Sequence, residues 1–178
     1  MGDEEEDEGV FLDDCWTLYF HDPDDAAWTQ DSYKQLGNVS TVHDWIHAEL
    51  AFGSFWSKGM FFLMREHILP LWEDSYNKNG GCLSYKVNKP DVARVWCKLC
   101  AQVLGNTLVD NSDIVPHDAV CGVSISPKRS YCILRIWIGS CDHGKPELYK
   151  LDAPEYTQVL WKTHEKNTDF ITEQVTPT

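Results

Sequence analysis

The sequence predicts an α+β domain, an antiparallel β-sheet with helices covering one of its faces. Three observations carry this. Short apolar or alternating segments recur at 15–22, 59–66, 80–88, 119–140 and 157–162. Two longer stretches, 40–52 and 89–106, place apolar residues at helical intervals. The strands follow one another through hairpin-like connections instead of alternating with helices, which is the α+β pattern.

Taken in order, CWTLYFHD (15–22) is an aromatic-rich strand, and HDPDDAAW (21–28) is a loop ending on Trp28. STVHDWIHAELAF (40–52) is a helix, because Thr41 and Asp44 have capping-box spacing and Val42, Trp45, Ile46 and Leu50 share a face. GMFFLMRE (59–66) is a buried strand. In GGCLSYKVN (80–88), Leu83, Tyr85 and Val87 alternate as a half-buried strand requires. KPDVARVWCKLCAQVLGN (89–106) is the clearest helix, with Pro90 and Asp91 suited to its first turn and Gly105 to its end. AVCGVSISPKRSYCILRIWIGS (119–140) is a hairpin turning about Pro127–Ser130, and TQVLWK (157–162) is a last strand. Residues 1–10 and 171–178 are expected to be tails flanking a single domain at 11–170.

Composition narrows the function. The net charge is −13, and six of the acids stand together in MGDEEEDEG, a block that repels itself. Without those six the chain still carries about −7, which excludes a general nucleic-acid binder with a broad basic face. The seven cysteines are odd in number and no signal peptide is evident, so reduced thiols in a soluble, cytoplasmic protein are expected. The eight tryptophans exceed what a core of this size needs, so some are candidates for ligand platforms.

Two motifs suggest metal chemistry and fall short of it. HDWIH (43–47) puts His43 and His47 on one helical face as a zinc-protease helix would. Its acid is a short Asp and no third ligand follows, so a surface pair is favoured over a zinc hydrolase. Cys97 and Cys100 have CxxC spacing without a second pair, and read as small buried hydrophobes. No cofactor, metal or catalytic residue is expected.

LPLWEDSYNKNGG (69–81) is more informative. It sets Trp72 against Glu73 and then runs through a polar turn to Gly80-Gly81. A ring beside a carboxylate, further tryptophans in loops, and Lys128-Arg129 at a hairpin tip would together hold a guanine nucleotide. The carboxylate accepts two hydrogen bonds from the guanine edge, rings stack on the base, and cations take phosphates.

These residues resemble the translation initiation factor 4E family, which binds the 7-methylguanosine cap of mRNA. The resemblance is carried by CWTLYF (15–20), Trp28, STVHDW (40–45), PLWED followed by NKNGG (70–81), VWCKL (95–99), VCG (120–122), IW (136–137) and PEYTQVLWKTH (154–164). It implies a curved, mostly antiparallel sheet with the ligand on its concave face and helices on its convex face. It implies that Trp28 and Trp72 sandwich the base, that Glu73 reads its edge while the Trp72 backbone N–H meets O6, and that Trp137 lies against the N7-methyl group. Lys128 matches a phosphate-binding position. A second such position is Ile133 here, with Arg135 on the same strand face as Trp137 and Arg129 beside Lys128 as substitutes.

The resemblance also implies a surface where a helical motif of a scaffold or repressor protein docks on a monomer, at Val42, Ile46, Trp96, Cys97, Lys98 and Ala101. The chain departs from the family there. The family carries a large aromatic at Ile46, an acid at Lys98, and leucines at Cys97 and Ala101. An altered docking mode is therefore expected, and the family's third helix should be cut short around 145–151. A family-like interaction protein with weak or lost cap binding is the alternative.

Overall fold

Alternation along the strands decides which side of the sheet each residue faces. The computed structural model describes residues 9–165. Most of the expected acidic tail, 1–10, and all of 171–178 lie outside them. Seven strands form one sheet: β1 (Phe11–His21), β2 (Tyr33–Thr41), β3 (Met60–Arg65), β4 (Gly81–Asn88), β5 (Val120–Pro127), β6 (Tyr131–Ile138) and β7 (Leu160–Thr163), in the order β2-β1-β3-β5-β6-β4-β7. Every pairing is antiparallel, and the sheet is curved and unclosed.

One face is apolar. Trp16 and Leu18 of β1, Phe61 and Leu63 of β3, Leu83 and Tyr85 of β4, and Leu134 and Ile136 of β6 are buried in a single cluster. Helix α2 (Val92–Leu104) covers it with Val92, Val95, Trp96, Leu99 and Val103. A short 3-10 turn, Lys89–Asp91, carrying Pro90, leads into the helix. Helix α1 (Val42–Phe52) contributes Trp45, which stacks on Trp56 with centroids 6.1 Å apart. The capping box predicted for α1 is present: Thr41 Oγ1 accepts from the Asp44 N–H (3.1 Å) and the Asp44 carboxylate accepts from the Thr41 N–H (2.8 Å). Trp16, Trp56 and Trp96 are no more than 1% exposed. Burying each is worth roughly 4–6 kcal/mol before entropy is counted.

Two features differ from expectation. β2 falls largely in a stretch, 29–39, that carried no assigned element, and its last two residues take the place of the expected start of the helix at 40–52; it is an edge strand in which only Val39 is buried. The third helix expected in shortened form around 145–151 is reduced to a 3-10 turn, Pro146–Leu148, preceded by another at Cys141–His143. All seven cysteines are free. Cys97 and Cys100 sit in and against the core, where burial pushes the Cys97 thiol up to about 12 and Cys100 well above its ordinary value. Both are held as neutral thiols. Among the described residues, no helix is long and apolar enough to cross a membrane.

Candidate functional site

The other, concave face is built from cross-strand rows. One row runs Gln35–Tyr19–Phe62–Ser124–Arg135–Ser84–Leu160 through six consecutive pairings. A parallel row runs Thr17–Met64–Gly122–Trp137–Cys82–Lys162. Two loops fold over the β1–β2 side of this face, and each carries one of the predicted rings.

The loop 66–80 is held from within. Asp74 accepts from the Leu69 N–H (3.0 Å) and the Tyr76 N–H (2.9 Å) through its two carboxylate oxygens. Asn77 is fully buried, and its Nδ2 donates to the Leu69 (3.0 Å) and Leu71 (2.7 Å) carbonyls. Those four bonds tie the two arms of the loop together and leave Trp72 and Glu73 exposed. Gly80 and Gly81 follow because the backbone passes too close to its neighbours for a side chain. A Cβ at Gly80 would collide with the Ile138 carbonyl, and one at Gly81 with the Lys162 carbonyl.

The loop after β1 is built on His21. This residue is fully buried, and its Nδ1 and Nε2 lie 2.8 and 2.7 Å from the Asp22 and Ala27 carbonyl oxygens. The Trp28 ring stacks on it, with centroids 4.2 Å apart and planes 6° from parallel. One face of Trp28 is thereby covered, and the residue remains 52% exposed. Trp72 is 38% exposed, and no other tryptophan is among the exposed large side chains.

The two loops converge on a cavity of about 330 Å³ whose lining includes Gln30, Asp31, Tyr33, Leu69, Pro70 and Leu71; Trp28, Trp72 and Glu73 stand on the same loops outside that lining. Glu73 is felt there: burial first, and then the Glu73 charge, push the Tyr33 phenol up to about 12. Glu73 itself makes no hydrogen bond among the described residues, so its oxygens retain their acceptor capacity.

Trp137 lies in the floor, 8% exposed, with Nε1 donating to Ser124 Oγ at 3.0 Å and its ring against Phe62 and His164. Burial pushes His164 down to about 4, so it is neutral beside the indole at physiological pH. Arg135 stands one pairing row from Trp137 on the same face. Its Nη1 donates to Ser126 Oγ at 3.0 Å, and burial pushes its guanidinium below its ordinary value. Lys128 and Arg129 are exposed at the tip between β5 and β6, where the Lys128 N–H closes the turn on the Tyr131 carbonyl (2.8 Å).

On the opposite face, Val42 (39%) and Ile46 (44%) are exposed, as is Ala101 on α2; Cys97 is half-buried. Lys98 pairs with Asp152 at 3.1 Å, which Arg94 also reaches at 3.2 Å. Trp96 corrects the expectation drawn from the resemblance. It is completely buried beneath α2 against Trp56, and offers no surface to a partner. Leu50, 80% exposed one turn beyond Ile46, extends the apolar stripe of α1. The zinc reading of His43 and His47 fails on its central acid, since Asp44 spends its carboxylate on Ser40 and Thr41. No group of three residues able to hold a metal occurs among the described residues.

Sequence reasoning did not single out His21 or Asn77. The Ala27 carbonyl at His21, and the Leu69 and Leu71 carbonyls at Asn77, are brought close only by loop closure, so no local spacing announces either residue. Asp74, beside Glu73 in the chain, organises the Trp72 loop.

Known proteins share this architecture. Residues 11–175 match the family model described as eukaryotic initiation factor 4E. The human eukaryotic translation initiation factor 4E is 26% identical over 167 residues, covering 86% of this chain and 75% of the relative. The Candida albicans factor is 23% identical over 188 residues, covering 94% and 81%. Among solved structures, Ascaris suum eIF4E-3 in complex with the m7G cap has a TM-score of 0.71 at 23% identity, covering 88% of this chain and 92% of that one. Schistosome eIF4E complexed with m7GpppG and 4E-BP has a TM-score of 0.67 at 21% identity, covering 76% and 75%. With a family model matched across nearly the whole described domain, the chain belongs to the eukaryotic initiation factor 4E family.

Proposed function

We propose that this protein binds the 7-methylguanosine cap of mRNA and acts in translation initiation or its regulation. The observation that carries the reading is that the two most exposed tryptophans, Trp28 and Trp72, stand on the two loops that converge on one cavity, with Glu73 beside it. In this reading Trp28 and Trp72 stack on the two faces of the base. Glu73 accepts from guanine N1–H and N2–H₂, the Trp72 N–H donates to O6, and Trp137 borders the N7-methyl group. Lys128, Arg129 and Arg135 take the phosphates. The bound caps in the Ascaris and schistosome structures support it.

The physics accommodates a strongly acidic protein. Methylation at N7 makes the base cationic, and a desolvated cation–π contact contributes about 2 kcal/mol. Base stacking adds about 1–3 kcal/mol per ring. Ordering of the loops opposes these terms, and a net near −8 kcal/mol corresponds to roughly micromolar affinity. Retention on a 7-methyl-GTP resin tests the site. The wild-type chain is retained and Trp72→Ala is not; equal retention of both would reject the assignment.

A second surface is proposed on α1, where exposed Val42, Ile46 and Leu50 form an apolar stripe that fits a helical motif of a scaffold or repressor. Cys97 and Ala101 border it with little side-chain volume. The Lys98–Asp152 pair places a cation where the family has an acid, so the partner's charge pattern differs.

A further inference from the structure

A second cavity, about 460 Å³, opens on the concave face over β6, β4 and β7. Its lining includes Lys86, Arg135 and Lys162 and no Asp or Glu, in a chain whose net charge is −13. Arg135 hydrogen-bonds only to a neutral hydroxyl, that of Ser126, and no carboxylate lies within ion-pair distance of it among the described residues. A guanidinium carries five donors, so most of Arg135's remain for a ligand. The Lys86 ammonium lies 5.0 Å from the centroid of the Tyr131 ring, held along the strand by an aromatic face.

The far wall is a built one. The Lys86 N–H donates to Thr157 Oγ1 (3.1 Å), and the Asn88 N–H donates to Tyr156 Oη (2.9 Å), which in turn donates to Asp91 Oδ2 (3.1 Å). The Tyr156 ring, fixed by its hydroxyl, is 54% exposed, and Leu160 beside it is 46% exposed. The groove starts at Cys82, directly across from Trp137, and reaches Lys86 four residues further along β4, roughly 13 Å at the rise of a strand. Cations along a backbone track with a bare ring beside them are the means by which proteins hold single-stranded nucleic acid without reading its sequence.

We propose that this groove is a second ligand site, for the transcript nucleotides that follow the cap: beyond Arg135, which takes a cap phosphate, Lys86 and Lys162 face backbone phosphates and Tyr156 stacks a base. The inference rests on the cap-binding reading and adds contacts, from Lys86, Lys162 and Tyr156, that a mononucleotide cap analogue does not make.

The test is fluorescence titration of the full chain with 7-methyl-GTP and with a short 7-methylguanosine-capped oligoribonucleotide. Wild type should bind the capped oligonucleotide about tenfold more tightly than 7-methyl-GTP, with the steeper salt dependence that added phosphate contacts bring. Lys86→Glu and Tyr156→Ala should each remove most of that gain and leave 7-methyl-GTP affinity unchanged, which also certifies their folding. Equal affinity of wild type for both ligands overturns the groove and leaves the cap reading standing. So does a Lys86→Glu variant that keeps the full gain. A wild-type chain that binds neither ligand overturns both.

Discussion

Trp28 lies flat on the fully buried His21, 4.2 Å away and 6° from parallel, so only its outer face is open to a ligand. His21 is thereby the support of the ring proposed to stack on the base. His21→Ala should cost cap-analogue affinity about fivefold to tenfold, the value of one stacked aromatic pair. His21→Phe, which keeps the stack and loses the two carbonyl contacts, should recover part of it. Tryptophan fluorescence titration with 7-methyl-GTP reads both.

Glu73 is exposed and takes no part in holding its loop. Glu73→Ala should therefore leave the melting temperature unchanged and weaken cap binding by about 1.5–3 kcal/mol for each charge-assisted hydrogen bond lost. Normal affinity in that variant would show that another group reads the base.

Asn77 behaves in the opposite way. Its amide serves two carbonyls in a buried site, and Asn77→Ala leaves both without a donor. A loss of about 1–3 kcal/mol in stability is expected, accompanied by weaker cap binding. Denaturant unfolding and the titration together check this, because Glu73→Ala separates the two effects and Asn77→Ala joins them.

Trp96→Ala should destabilise the fold by about 3–5 kcal/mol, as truncation of a core aromatic does. Ile46→Asp, on the exposed stripe, should leave unfolding unchanged and abolish binding of a helical partner peptide. Thermal melts of the two variants distinguish core from surface.

His164 makes stability depend on pH. Its imidazole is held neutral by burial, with a folded value of about 4 against 6.5 when unfolded. The unfolded chain therefore binds more protons between these values. The contribution, up to about 3 kcal/mol, is complete above pH 6.5 and is lost as pH falls toward 4. His164→Phe should flatten that window in denaturant unfolding measured from pH 7 to pH 4.

What could be read from the sequence follows from locality. α1 and α2 were legible because an apolar stripe, a capping box and a terminal glycine all lie within one segment. The hairpin of β5 and β6 was legible for the same reason. β2 was not: YKQLGNVST has few apolar residues and a central Gly-Asn, since it is an edge strand with one neighbour and little to bury. At the site, Trp72 beside Glu73 was visible as chemistry. The pairing of His21 with Trp28, and the grip of Asn77 on two distant carbonyls, exist only once the loops close. Trp96 was misplaced because the resemblance put it on the docking surface, and a matched position does not say how deeply its side chain sinks into the core.

The central claim is that the cavity between the Trp28 and Trp72 loops recognises a methylated guanine. Titration of intrinsic tryptophan fluorescence with 7-methyl-GTP and with GTP tests it most directly. The account predicts saturable quenching by 7-methyl-GTP at roughly micromolar concentration and much weaker quenching by GTP, which lacks the cationic ring. Equal quenching by the two nucleotides, or none by either, would contradict it.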